Sequence, residues 1–399
     1  MTTSEQMRHW TGPALFSYGF RPFFLFGAIW AALAMVAWIA MLSGFAELPT
    51  RLDPVSWHAH EFLFGYLGAI IAGFLLTAVP SWTGRLPVVG WPLALLFAVW
   101  VAGRVLIAVS ALVPLWLPVA VDLLFPVALA LMILREIVAG RNWRNLVVLA
   151  LLAVFTIANL LFHLEAAGGA YAAQGIGLRI GIAAVLMMIS LIGGRIVPSF
   201  TRNWLVAAGQ GDLPAPPMQR FDKAVLLLTL AALICWTIAP LWAVSGAALI
   251  AMGALHLVRL ARWKGYRTLA EPLLWVLHLG YLFVPLGALI EGFAILAPDL
   301  LAPGPAQHMW MAGGFALMTL AVMARATLGH TGQALTAGAG STAMFMCIVA
   351  SVAFRIGASL VPGASAGLYA ASALLWIAAF AGFALIYGGA LIGPKPLRA

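Results

Sequence analysis

The sequence predicts an all-α, polytopic membrane protein of about twelve transmembrane helices. Of its 399 residues, 64% are hydrophobic and only 8% are charged, and the mean hydropathy is +1.04. The apolar residues fall in repeated runs near the ~20 residues that span a bilayer. Trp is plentiful (16) and Tyr scarce (7), and many Trp stand at the ends of the runs, where aromatic belts lie. We expect a single transmembrane bundle over residues 1–399.

Twelve runs are long and apolar enough to cross a bilayer. The first is too long for the apolar core of a signal peptide and no convincing cleavage site follows it, so we expect it to be retained. The predicted spans are 20–43, 58–80, 91–112, 115–137, 145–165, 172–197, 221–240, 242–262, 270–293, 308–328, 340–361 and 366–391.

The positive charges predict the orientation of the chain. With a cytoplasmic N-terminus, 17 of the 21 Lys and Arg residues lie in cytoplasmic segments and one, Arg51, lies outside. Cytoplasmic loops are the ones that carry excess Lys and Arg, so we expect both termini in the cytoplasm. The same bias accounts for the net charge of +9, and nucleic acid is not an expected partner. Cys235 and Cys347 lie inside apolar runs, which excludes a disulfide framework.

A motif recurs at the ends of every fourth span. The second ends in "VPSWTGR" (79–85), the sixth in "VPSFTRN" (197–203) and the tenth in the looser "ARATLGHTG" (324–332). The recurrence predicts three pseudo-repeats of four helices. The alternative is that membrane helices often stop at Pro, Trp or Arg on the inner face. A cytoplasmic Pro/Gly loop, 202–222, separates the halves.

Five histidines are candidate metal ligands. His58 and His60 lie at the outer end of the second span, His163 at the outer end of the fifth, and His308 opens the tenth from outside, with His278 deeper in the ninth. Neutral imidazole is the commonest metal ligand, and ionisable groups within spans are functional hypotheses by default.

Carboxylates and arginines accompany these histidines. Carboxylates can orient a ligating imidazole through its second nitrogen, and those expected at the outer level are Glu61, Asp122, Glu165 and Glu291. Three arginines within spans need anionic partners: Arg104, Arg179 and Arg355. Asp122 is one candidate partner for Arg104, and the propionates of a haem are another. Structural ion pairs are the alternative for all three.

The second span predicts different roles for its two histidines. Asp53 suits a helix N-cap and Pro54 the first helical position, so His58 and His60 belong to the first two turns. Side chains two apart on a helix point in different directions. The pair is therefore not expected to bind one metal together. His58 shares a face with Glu61 in this spacing, and His60 shares one with Phe64.

Several long motifs resemble those of one family, the NnrS family, in order from near the N-terminus to the tenth span. The resemblance implies a bacterial inner-membrane protein of twelve helices that carries haem, expected to be of b type, and copper. It also implies an association with nitric oxide and with defence against nitrosative stress or denitrification. The motifs are "FRPFFL" (20–25), "WHAHEFLFGY" (57–66), "GFLLTAVPSWTG" (73–84), "GGRIVPSFTRNWL" (193–205) and "AVMARATLGHTG" (321–332).

The resemblance does not fix the ligands. If the protein carries haem and copper, the membrane depth of the histidines leads us to expect haem iron bound by His58 or His60 with His308, and copper or a second haem at His163 and His278. The chain also resembles, more distantly, the catalytic subunit of haem–copper oxidases. It lacks that subunit's adjacent His-His pair and His-x-x-x-Tyr motif, which argues against oxidase chemistry.

The first functional hypothesis is a haem and copper protein that binds or transforms nitric oxide near the periplasmic face. Turnover would need a redox donor and proton donors, for which Glu61, Glu165 and Glu291 are the candidates. A secondary transporter is the second hypothesis, although such carriers usually show a two-fold repeat of six helices. A metal-holding sensor or assembly factor without turnover is the third.

Overall fold

The computed structural model describes residues 10–300 and 304–394. It is 81% helical, with no strand in the described residues. In the described part of the chain, twelve helices are long and apolar enough to cross a membrane, which confirms the predicted fold class. They are α1 (Phe20–Leu42), α2 (Pro54–Thr83), α3 (Trp91–Ala108), α4 (Trp116–Ala139), α5 (Trp143–Ala167), α6 (Ile176–Ala207), α7 (Arg220–Ile238), α8 (Ala243–Ala261), α9 (Pro272–Leu296), α10 (Ala306–Thr331), α11 (Ala339–Leu360) and α12 (Pro362–Ile392).

The chain forms two compact units. Unit 1 comprises the chain as far as Gly181, the segment Met323–Ala334, and the chain from Phe380 onward. Unit 2 comprises Ile182–Val322 and Leu335–Ala379. Helices α6, α10 and α12 therefore contribute to both units. The expectation of a single bundle stays a prediction.

One helix lies at the centre of each unit. The most apolar stretch of α2 has 78% of its residues buried, and that of α9 has 67%. The corresponding stretches of α1, α3, α4 and α11 have only 33% of their residues buried. The less buried helices expose apolar side chains, as expected of surfaces that face lipid. Polar residues on α2 and α9 are consequently shielded by the helices around them.

Local hydrogen bonds set the helix starts. Asp53 Oδ1 accepts from the backbone N–H groups of Val55 and Ser56 at 3.0 Å each, which confirms the predicted N-cap of α2. α6 begins at Ile176 rather than 172, because the Glu165 carboxylate accepts from the N–H groups of Ile176 (2.7 Å) and Gly177 (3.1 Å). This anion compensates the positive end of the helix dipole.

Two predicted segments have different bounds in the structure, the first of them for a tertiary reason. α3 ends at Ala108 rather than 112, since the backbone N–H and Nε of Arg51 bind Ser110 Oγ and Ser110 O, both at 2.9 Å. The loop predicted at 202–222 is confined to residues 208–219. α6 continues to Ala207, and a capping box between Gln219 and Asp222 starts α7 at Arg220.

Each of the helices α2, α6 and α10 contains a π-helical segment. The segments are Glu61–Tyr66, Ile189–Gly193 and Met309–Phe315. These are the helices whose ends carry the motifs of the predicted four-helix repeat. π-segments are rare and frequently occur at functional sites, which directs attention to the residues around them.

Unit 2 is held by a buried polar network that the sequence reading did not single out. Arg259 Nε donates to Asp222 Oδ1 at 2.8 Å, and Arg259 Nη1 donates to Ser190 O (2.8 Å) and to the Tyr281 hydroxyl (2.9 Å). Tyr281 in turn hydrogen-bonds His256 Nδ1 at 2.8 Å. The network therefore links α6, α7, α8 and α9 through groups that are almost completely buried.

The Asp222–Arg259 pair yields a stability prediction. Asp222→Asn leaves the Arg259 guanidinium buried without its counter-ion, which should cost about 3–5 kcal/mol of unfolding free energy. Thermal unfolding of the detergent-solubilised protein measures the loss.

Asp212→Asn is the control for this prediction. Asp212 pairs with Lys264 at the surface, where removal of one charge has little effect. Equal losses of stability in Asp222→Asn and Asp212→Asn would contradict the structural role of the buried pair.

Candidate functional site

The candidate site in unit 1 begins where the first α-helical turns of α2 end. His60 is the last residue before the π-segment and Glu61 is the first residue within it. His60 Nδ1 contacts Glu61 Oε1 at 3.0 Å. His60 Nε2 contacts Asp122 Oδ2 at 3.2 Å and Asn159 Oδ1 at 3.1 Å. The His60 ring thus meets oxygen acceptors at both nitrogens, from α2, α4 and α5.

Asp122 on α4 is the hub of the site. Its Oδ2 accepts from Asn159 Nδ2 at 2.7 Å and from His163 Nε2 at 3.0 Å, in addition to the contact with His60. Its Oδ1 pairs with Arg104 Nη2, the partner that the sequence suggested for that arginine. A buried carboxylate needs charge compensation and hydrogen bonds, and four side chains supply them.

Glu61 and Arg104 complete the charge balance. Arg104 Nη1 donates to both Glu61 oxygens at 2.8 Å, and Trp30 Nε1 donates to Glu61 Oε2 at 2.8 Å. One guanidinium therefore joins Glu61 on α2 to Asp122 on α4. If His60 donates from both nitrogens, two cations face the two carboxylates and the buried cluster is neutral.

The π-segment brings its backbone close to this ion pair at Gly65. A Cβ added to Gly65 would lie 2.6 Å from Arg104 Nη1 and 2.7 Å from Glu61 Oε2. The Gly65 carbonyl accepts from Trp100 Nε1 of α3 at 2.9 Å. The absence of a side chain at Gly65 therefore makes room for Arg104 between the helices.

Three members of the cluster have the composition of a metal site. One ligand atom from each of His60, Asp122 and His163 lies within 4.8 Å of the others, and all three residues are buried. Two imidazoles and a carboxylate suit zinc, copper or another divalent transition metal. A metal ion here would replace the hydrogen-bonding protons between the imidazoles and Asp122, with Glu61 orienting His60 from behind.

The space around His60 does not fit a haem. Its ring packs against the rings of Phe64, Phe162 and His163 at centroid distances of 5.4, 5.5 and 4.9 Å, and both nitrogens are engaged. The contact with Phe64 confirms the shared face that the helical spacing predicted. Haem ligation at His60 is therefore disfavoured by the structure.

His58 points away from the cluster. Its ring stacks on Trp38 of α1, with centroids 4.1 Å apart and planes inclined by 20°. This confirms that the two histidines of "WHAHE" have different surroundings. The expected shared face of His58 and Glu61 does not lead to a common site, because Glu61 is held by Arg104 and Trp30.

Glu165, Arg179 and Arg355 lie outside the cluster. Glu165 caps α6, as described above, and Arg179 Nη1 donates to Gln174 O at 2.7 Å. Arg355 of unit 2 lies over the Tyr369 ring at 4.8 Å and donates to Ser359 Oγ at 3.0 Å. Their assignment to a cofactor or to catalysis stays a prediction.

The remaining predicted residues belong to unit 2. Glu291 accepts from Trp236 Nε1 at 3.0 Å, and its second oxygen is buried without a partner. His278 lies in the second turn of α9, nearer its start than predicted, and its Nε2 hydrogen-bonds Thr201 at 2.8 Å. His308 is half-buried at the start of α10. The expected haem pairing of His308 with His58 stays a prediction, whereas the rings packed around His60 disfavour the alternative pairing with His60.

Two residues of the site were missed at the sequence level. Asn159 and Trp30 each donate to a carboxylate of the cluster. Asn159 lies four residues before His163 on α5, so the two share a helix face. That spacing was the available signal for Asn159, whereas nothing in the sequence distinguished Trp30 from the other tryptophans.

These features define a polytopic membrane protein with a buried His–Asp–His group that could hold a metal. The chain belongs to the NnrS family: the family described as NnrS protein matches residues 14–395, nearly the whole sequence. Membership indicates a nitric oxide-related membrane protein, in a family associated with metal cofactors. No curated protein matches the chain.

The close approach at Gly65 yields a prediction about the site. Gly65→Ala places a methyl group against Arg104 and Glu61, and the displacement should cost about 1–3 kcal/mol, as overpacking does. Differential scanning fluorimetry of the purified protein measures the change.

Gly68→Ala is the matched control, three residues later in α2. Its added Cβ meets only Phe125, at 3.7 Å, and alanine favours the helix by roughly 0.5–1 kcal/mol. If Gly65→Ala is as stable as Gly68→Ala, the inference that the Gly65 backbone lies tightly against Arg104 and Glu61 is wrong.

Proposed function

We propose that this protein binds nitric oxide at a metal centre built on His60, Asp122 and His163, in the bacterial inner membrane. The observation that carries the proposal is the convergence of three buried ligand atoms, within 4.8 Å of one another, in a nitric oxide-related family. Copper is the metal that the family resemblance implies, and the nitrogen–oxygen donor set is compatible with it.

The residues around the three ligands would keep the site rigid. Asn159 Nδ2 donates a hydrogen bond to Asp122 Oδ2 at 2.7 Å, and Arg104 forms an ion pair with the same carboxylate. Glu61 Oε1 contacts His60 Nδ1 at 3.0 Å. Such outer contacts orient metal ligands and raise their basicity. A bound metal would supply the coordination position for nitric oxide, and the apolar rings around His60 would exclude bulk water from it.

Haem belongs to the proposal on the family resemblance alone. Since the space at His60 does not fit a haem, His308 and His58 are the remaining expected ligands of such a group. A role in nitrosative-stress defence or denitrification follows from the same resemblance. Binding without turnover, as in a sensor, would use the same site, and Glu61 is better suited to orient His60 than to donate protons while it is paired with Arg104.

The first test is the metal content of purified protein and of ligand variants. His60→Gln, Asp122→Asn and His163→Gln should each weaken copper binding by about tenfold or more, since even outer contacts are worth 10–100-fold. Isothermal titration with copper and elemental analysis measure the loss.

His256→Gln is the matched control, because His256 is equally buried but belongs to the network of unit 2. Its copper affinity should equal that of the parent protein. Unchanged copper binding in all three ligand variants would refute the assigned site. If the absorption spectrum of the copper-loaded parent protein does not change on addition of nitric oxide, the proposed function is wrong.

The second test is the pH dependence of metal binding. A metal must displace the protons that the imidazoles share with Asp122 and Glu61, so affinity should fall as pH is lowered and protons should be released on binding. Titrations in buffers of different ionisation enthalpy count the released protons. Binding that releases none would contradict a site made from these two histidines.

A further inference from the structure

The turn between α4 and α5 in unit 1 is fixed against the end of α2. A Cβ added to Gly140 would lie 2.7 Å from Thr83 Cβ and 2.9 Å from Thr83 O, so a side chain at this position would clash with the end of α2. Asn142 Nδ2 donates a hydrogen bond to Trp82 O. These contacts hold the turn in one place at the end of the helices.

An arginine in this turn occupies a backbone position that favours glycine. The N–H group of Arg141 donates to Val138 O at 3.1 Å, and that of Asn142 donates to Ile137 O at 3.0 Å. This is the hydrogen-bond pattern of a Schellman motif, in which the residue after the helix C-cap is left-handed and usually glycine. Arg141 has φ +49°. The chain therefore accepts local strain to place a guanidinium group there, and strain of this kind often occurs at functional sites.

The turn lines an open pocket of about 370 Å³. The lining residues are Gly140, Arg141, Asn142, Trp143 and Arg144. Trp143 is 57% exposed, and exposed tryptophans at the ends of membrane helices mark the membrane interface. This is the level at which the phosphates of lipid headgroups meet a membrane protein.

The pocket carries positive charge that the surrounding protein does not neutralise. Glu136, one turn earlier on α4, is already paired: its Oε2 accepts from Arg85 Nε at 3.2 Å and its Oε1 from Arg135 Nε at 2.9 Å. Arg141 and Arg144 are exposed and form no ion pair within the described residues. Both guanidinium groups therefore have N–H donors for an anion in the pocket.

The helix surfaces beside the pocket are apolar. Val138 on α4 is 48% exposed, and Leu146 and Val147 on α5 are 39% and 44% exposed. In a protein that spans a bilayer, such side chains face acyl chains. A phospholipid with its phosphate in the pocket would therefore have an apolar surface for its chains, which a free phosphate ion would not use.

We propose that the turn 140–144 binds the headgroup of an anionic phospholipid, with Arg141 and Arg144 on its phosphate. Guanidinium groups pair with phosphate oxygens in bidentate fashion, and basic pockets at the membrane surface suit anionic headgroups. The orientation of the chain depends on the number of positive charges on each side, whereas this site depends on two arginines in one place. The proposal is independent of the nitric oxide function.

The first experiment measures lipid affinity by native mass spectrometry. Delipidated protein in detergent is titrated with phosphatidylglycerol and, separately, with zwitterionic phosphatidylcholine. The parent protein should bind phosphatidylglycerol more tightly than phosphatidylcholine. The double variant Arg141→Gln/Arg144→Gln should lose about tenfold or more in phosphatidylglycerol affinity, because each basic residue at the surface adds to the attraction.

Arg220→Gln/Lys223→Gln is the matched control. It also removes two exposed positive charges, at the start of α7 and outside the pocket lining. Its phosphatidylglycerol affinity should equal that of the parent protein. Equal losses in the two double variants would show that only net charge matters, and would overturn the proposed site.

Free phosphate is the alternative occupant. Inorganic phosphate in large molar excess should not displace phosphatidylglycerol from the parent protein, because the acyl chains contribute to binding. If phosphate does displace the lipid, and binds the parent but not Arg141→Gln/Arg144→Gln, the pocket is a phosphate site and the assignment to a phospholipid is wrong.

The second experiment separates lipid binding from a role in folding. Glycine suits the left-handed backbone at residue 141, so Arg141→Gly without lipid should unfold at the same temperature as the parent protein or higher. The rise in unfolding temperature on addition of phosphatidylglycerol should be smaller than in the parent. A lower unfolding temperature without lipid, or an unchanged rise with lipid, would overturn the proposal.

Discussion

The ion pair between Arg104 and the two carboxylates of Glu61 and Asp122 is the constraint on which the candidate site depends. In a protein surrounded by lipid, a buried charge is tolerated only when it is paired and hydrogen-bonded. Asp122 meets this condition through Arg104, His60, Asn159 and His163. The same contacts bring α2, α3, α4 and α5 together, so satisfying one carboxylate also assembles the metal-capable group.

In unit 2 a buried carboxylate is also compensated by an arginine, but the described residues around the pair do not form a metal-binding group. Arg259 compensates Asp222 and continues to Tyr281 and His256, yet no second carboxylate or imidazole completes a metal-binding set there among the described residues. The difference lies in neighbours: His60 and His163 converge on one carboxylate oxygen, whereas His256 meets hydroxyl groups. Burial of a histidine alone therefore does not predict a metal site in this protein.

Much of the fold was predictable because it depends on local properties of the chain. Bilayer thickness and the apolar runs determined the number of helices, and Asp53 and Pro54 determined the start of α2. The last residue of α3 and the first residue of α6 were not predictable, because contacts from Arg51 and Glu165 determine them. The different surroundings of His58 and His60 followed from helical spacing, but the packing of Trp38 against His58 and of Asp122 against His60 required the neighbouring helices.

The sequence by itself determined the twelve helices, the family, and the set of polar residues from which a site would be made. The tertiary structure alone decided which of them meet: His60 and His163 join Asp122, while His58, His278 and His308 lie elsewhere. The physical reason is that hydropathy and periodicity act within a helix, whereas a site depends on side chains from several helices. Those contacts are determined by packing between helices and by the need to neutralise buried charge, and neither can be read from the order of residues along the chain.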